Sequence, residues 1–121
     1  MREKKIINFE RNGFCPVRDV LSRLGDKWSV LIIATLQANG VMRFGEIQQS
    51  IGDISQRMLT LALRSLEADG IVHREIYPEV PPRVEYQLTD MGLSLFSHLH
   101  ALIVWASENG NEILRNRERT N

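Results

Sequence analysis

Two short runs, "VHREIY" at 72–77 and "VEYQL" at 84–88, alternate apolar and polar residues, and the connector between them holds three of the chain's four prolines. A period of two predicts strands with one covered face. A connector as short as "PEVPPR" joins them as a hairpin. Proline sets φ and removes backbone donors, so this loop is stiff by construction. The rest of the chain has mostly helical spacing, so the fold class is mainly α with one small β-hairpin.

The order of the helical signals narrows the fold further. Pro16 is a favoured first helical position, and "PVRDVLSRL" runs from it to Gly25 with Val17, Val20, Leu21 and Leu24 in one stripe expected to be buried. A second helix, Lys27 to Gln37, is apolar around most of its circumference and belongs at the centre of a fold. Asn39 and Gly40 stop it, and "VMRF" forms a short edge strand. A third helix is expected over "FGEIQQSI", Phe44 to Ile51. After the turn "GDI", Ser55 caps a fourth helix that Gly70 ends. Thr89 then caps a long final helix, with Asp90 well placed for the dipole and a break expected at Asn109 and Gly110. Helix, helix, short strand, helix, turn, helix, hairpin, long helix is the order of a winged helix-turn-helix domain, and the proline connector is its wing.

A chain of 121 residues with 43% hydrophobic and 25% charged content is expected to be one globular domain. Residues 15–89 would form the helix-turn-helix core and wing, and 1–14 and 90–121 the dimerisation segments. Fifteen basic residues balance fifteen acidic ones, which argues against a coating, histone-like binder but leaves room for a local basic face. The start lacks a secretory signal and the longest apolar run is only "WSVLIIATL", so a cytoplasmic protein without membrane contact is expected. One cysteine suits a reducing compartment.

The fourth helix carries the functional signal. At about 100° per residue, Leu63, Leu66 and Ala62 gather around Leu59 as a core stripe, and Arg57, Arg64 and Leu61 fall together opposite it, flanked by Gln56 and Thr60. A lone helix with two outward arginines is ordinarily a solvated surface. Here the outward line holds no acid, and Leu61 stands where a solvated face would carry a charge. Such a face fits a major groove, where arginine pairs with guanine, glutamine with adenine, and an aliphatic group meets a thymine methyl. Arg83, ending the stiff loop, and Arg74 on the facing strand are placed for phosphate or a minor groove; Glu75, Glu79 and Glu85 limit that contact. The plainer alternative is a hairpin kept from edge aggregation by proline and charge.

Four pieces, "CPVRDVLSRLGDKW", "RFGEIQQSIGDIS", "MLTLALRSLEADGIV" and "PPRVEYQLTDMG", stand in an order and spacing that resembles the HxlR-type family of bacterial winged-helix transcription regulators, relatives in architecture of the MarR type. The resemblance runs from Cys15 to about Trp105. It implies a dimeric repressor or activator of double-stranded DNA. Ser55, Gln56, Arg57, Thr60 and Arg64 would lie on the recognition helix, beside the outward Leu61, and Arg83 on the wing. It also implies that Cys15 matches the family's N-terminal cysteine, which in some members senses oxidants or electrophiles.

On the final helix, Leu95, Phe96, Leu99, Leu102 and Ile103 share one sector, with Trp105 outside it. That is more apolar surface than one small core needs, so a homodimer is expected here. The alternative is that Phe9 and Phe14 of the N-terminal segment cover it. Cys15 directly precedes Pro16, and a thiol at a helix N-terminus beside Arg18 has a lowered pKa; a small buried packing residue is the other reading. No cofactor is expected. His98 and His100 lie about 200° apart on a helix and cannot share a metal. There is no phosphate-binding glycine loop or nucleophile elbow, and Cys15 has no histidine within the first 70 residues to serve as base, so an enzyme is not expected. A winged helix that only binds other proteins is the competing class.

Overall fold

The computed structural model describes residues 16–120, as five helices and three strands: α1 (Pro16–Leu24), α2 (Lys27–Asn39), β1 (Met42–Arg43), α3 (Phe44–Ile51), α4 (Gln56–Ala68), β2 (Val72–Tyr77), β3 (Arg83–Leu88) and α5 (Asp90–Thr120). The strands form one antiparallel sheet in the order β1-β3-β2. This is a winged helix-turn-helix with a long C-terminal helix.

Local chemistry sets the boundaries. Gly40, at φ 78°, ends α2 and donates its N–H to the Leu36 carbonyl at 2.7 Å. At the start of α3 the Glu46 carboxylate accepts the Arg43 N–H at 2.8 Å, satisfying one of the donors a helix start leaves open. Thr89 caps α5: its hydroxyl oxygen accepts the Gly92 N–H at 3.1 Å while the hydroxyl itself faces the Gly70 and Ile71 carbonyls. That one side chain ties the start of α5 to the turn after α4.

The core is built from Ile32, Ile33 and Leu36 of α2, Met42, Ile47 of α3, Ile54, Leu59, Leu63 and Leu66 of α4, Ile71 and Val72. α2 is indeed central, touching α3, α4, α5 and β3. Two expectations fail. The α1 stripe is not buried: Val17, Val20 and Leu21 are exposed, Leu21 by 64%, and only Leu24 packs on the core. Periodicity shows that these residues share a face, not that the chain supplies a cover. The expected break at Asn109 and Gly110 is also absent, because α5 runs unbroken to Thr120. The Asn109 amide donates to the Trp105 carbonyl inside the helix at 2.9 Å. A helical glycine costs only about 1 kcal/mol, too little to end a helix of 31 residues.

Candidate nucleic-acid interface

α3, a tight turn and α4 form the helix-turn-helix. Gly52 stands at φ +95°, a backbone region that side chains disfavour, and its N–H bonds the Gln48 carbonyl at 2.9 Å. The Gln48 amide in turn donates to the Ile54 carbonyl at 3.3 Å, closing the turn from inside. Ser55 then caps α4 as expected, its hydroxyl oxygen accepting the Met58 N–H at 3.1 Å.

α4 is anchored on one side only. Leu59, Leu63 and Leu66 are buried, and burying each such side chain is worth roughly 1.5–3 kcal/mol. The opposite side contributes almost nothing to folding. Gln56, Arg57, Leu61 and Arg64 are exposed and Thr60 is half-buried, its hydroxyl donating to the Gln56 carbonyl at 2.8 Å. Leu61, 49% exposed, has no core role. Five of the six α4 residues named from the sequence, Gln56, Arg57, Thr60, Leu61 and Arg64, thus lie along one open side, and Ser55 stands at the N-cap. Guanidinium forks at Arg57 and Arg64 can donate in pairs to guanine N7 and O6.

Beside this face, Phe44, Thr60, Leu63, Arg64, Glu67, Arg74 and Tyr86 line an open cleft of about 410 Å³ between α4 and the sheet. Arg74 donates from Nε to the Glu67 carboxylate at 3.1 Å, which locks β2 to α4. Burial raises the Tyr86 phenol above its ordinary value of 10.0, and the positive charge of Arg74 only partly opposes this, so its hydroxyl stays a donor at neutral pH. Phe44, Glu67 and Tyr86 are not among the site residues the sequence suggests. For Tyr86 the signal is strand parity, since Arg74 pairs with Tyr86 across the ladder and both turn the same way.

The same parity places Arg83 elsewhere. It pairs with Tyr77, in register with Glu75 opposite Glu85, on the sheet face turned away from Arg74 and Tyr86. Its guanidinium stacks on the Tyr77 ring at 4.0 Å and contacts the Glu79 carboxylate at 3.1 Å and that of Glu85 at 3.6 Å. Its Nε is buried without a partner. Arg83 thus ends the loop as expected, but it stands held within the wing rather than alongside α4. The tip of the wing is Val80, fully exposed.

The residues expected at a dimer interface divide into two groups. Leu95, Phe96 and Leu99 pack against the chain's own core, so their first role is internal. Leu102 and Trp105 are exposed, by 58% and 53%, with Ile103 half-buried between them. Met91 and the α1 residues Val17, Val20 and Leu21 add to this open apolar surface. Cys15, Phe9 and Phe14 lie outside the described residues. Among the described residues, no helix is long and apolar enough to cross a membrane.

Comparison with known proteins gives these features a context. A family model, HxlR-like helix-turn-helix, matches residues 23–114. An uncharacterized HTH-type transcriptional regulator of Methanothermobacter thermautotrophicus is 47% identical over 97 residues, covering 80% of this chain and 73% of that protein. Among solved structures, the putative transcriptional regulator ytfH from Salmonella typhimurium superposes with a TM-score of 0.78 at 39% identity, over 86% of this chain and 92% of that one. The redox regulator HypR in its reduced form gives a TM-score of 0.74 at 42% identity, over 84% and 98%. With the match running from the end of α1 through most of α5, the chain belongs to the HxlR-like helix-turn-helix family.

Proposed function

We propose that this chain is a DNA-binding transcription regulator, not an enzyme. It acts in the cytoplasm as a homodimer that places the 55–69 helix of each subunit in the major groove of a near-palindromic operator. The observation that carries this reading is the open, acid-free line of Gln56, Arg57, Thr60, Leu61 and Arg64 on a helix whose other side buries Leu59, Leu63 and Leu66. The relatives' description as HTH-type transcriptional regulators supports it. The exposed apolar faces of α1 and α5 support the homodimer. Two recognition helices would then sit about 34 Å apart and read two half-sites. The 78–83 wing lies on the backbone or in the minor groove.

Cys15 is the proposed point of control. It immediately precedes the first residue of α1, where the helix dipole favours thiolate, and a structural neighbour at 42% identity is a redox regulator. With no second cysteine in the chain, an oxidant or electrophile leaves a sulfenic acid, an adduct, a mixed disulfide or a bridge to Cys15 of another subunit.

The test is selection of bound duplexes from a random pool. Recovery of a two-fold symmetric motif with fixed half-site spacing is expected. Absence of any DNA retention at low salt would overturn the reading and leave a protein-binding module.

A further inference from the structure

We infer that Arg23 is a positioning residue for the recognition helix, the tie through which α1 sets how α4 is aimed. This rests on the DNA-binding reading above and adds a residue outside the recognition helix and the wing.

Arg23, in the last turn of α1, reaches across to the last turn of α4. Its Nε donates to one carboxylate oxygen of Asp69 at 3.0 Å, its terminal nitrogen meets the other at 2.9 Å, and that same nitrogen donates to the Ser65 hydroxyl at 3.2 Å. Ser65 and Asp69 are one turn apart, joined by the Asp69 N–H to the Ser65 carbonyl at 3.0 Å. The contact is therefore a planar fork closed on two groups of one helical turn, a geometry that only arginine supplies.

The rest of α1 is loosely seated. It has no buried residue, and beneath it lies a crevice of about 170 Å³ lined by Val20, Leu24, Ile71 and Met91, with Asp19, Arg23 and Asp69 at its polar side. Only Leu24 packs α1 on the core, so the fork is the polar tie that fixes α1 against the end of α4. α1 also exposes Val17, Val20 and Leu21, the surface assigned above to the second subunit. A shift of α1 in the dimer is thus delivered to the end of α4.

The lever is long enough to matter. α4 rests on its three leucines, and Arg57 is six residues from Leu63, about 9 Å along the axis at about 1.5 Å per residue. A tilt of about 10° about Leu63 moves Arg57 by about 1.5 Å, more than the range over which a hydrogen bond persists.

The test uses the full chain with Arg23→Met, Asp69→Asn and the exchanged pair Arg23→Asp with Asp69→Arg, on the selected duplex and on a random-sequence duplex. Each single variant should keep its circular dichroism, its dimeric mass and its low-salt affinity for the random duplex. Affinity for the selected duplex should fall about fivefold, as suits a largely exposed but bidentate pair. Tolerance of altered half-site spacing should widen, and the exchanged pair should recover most of the loss. An unchanged selected-site affinity, an equal loss on both duplexes, a monomeric variant or an exchanged pair without recovery would each overturn the inference. If the wild type binds no duplex, the DNA reading fails by itself. The clamp is then judged by amide exchange, where unaltered protection of 65–69 in Arg23→Met overturns it.

Discussion

At the scale of single residues, position in the fold outweighs residue type. Gly92, buried at the start of α5, touches the Ile71 carbonyl so closely that a β-carbon would collide with backbone. Gly92→Ala is therefore expected to cost about 1–3 kcal/mol despite alanine's better helix propensity, seen as a lowered midpoint in thermal or urea unfolding. Arg83 shows the same lesson through charge. Its guanidinium is already engaged by Glu79 and Glu85, so it meets phosphate only by exchanging those partners. As a backbone anchor it confers no sequence preference: Arg83→Ala should weaken all duplexes alike and reduce the salt slope by roughly one ion per subunit. Glu79→Gln should do the reverse, raising affinity for selected and random duplexes equally in a salt titration. A change confined to the selected duplex would mean that Arg83 reads a base.

Among the elements, α4 has the clearest division of labour. Core leucines hold one side and Arg57 and Arg64 stand exposed on the other, so these arginines can be removed without unfolding the domain. Arg57→Ala and Arg64→Ala should each leave thermal stability nearly unchanged and cost about 1–3 kcal/mol on the selected duplex, relaxing preference at one position in each half-site. Unaltered binding in both would sink the assignment. This much was legible in the sequence because one turn-capped helix carries both faces, and an i, i+4, i+7 pattern tells them apart. The cleft beside it was not legible, because it needs the parity of β2 and β3 to turn Arg74 and Tyr86 toward Arg64.

For the whole molecule, the open apolar surfaces of α1 and α5 set the expectation. Leu102 and Trp105 are exposed and make a cleaner test than Leu99, which packs on the chain's own core. Trp105→Glu should give a folded monomer in light scattering with weakened binding to a two-half-site duplex; a stable dimer would refute this interface. Regulation belongs to the same scale. Cys15→Ser should retain DNA binding but lose its response to peroxide or quinone, and a thiol titrating at about 8.5 or higher would argue against a reactive thiolate.

Local chemistry in the chain was enough to determine the order of elements, the winged helix-turn-helix, the caps at Ser55 and Thr89 and the outward line of α4. Each depends on neighbours within two helical turns or on a short loop. Tertiary structure alone decided that the α1 stripe stays open, that Leu95, Phe96 and Leu99 face inward, and that Arg83 turns away from α4. It also decided that Arg23 closes on Ser65 and Asp69, more than forty residues away. Periodicity groups residues on a face; only the packed chain determines what that face meets.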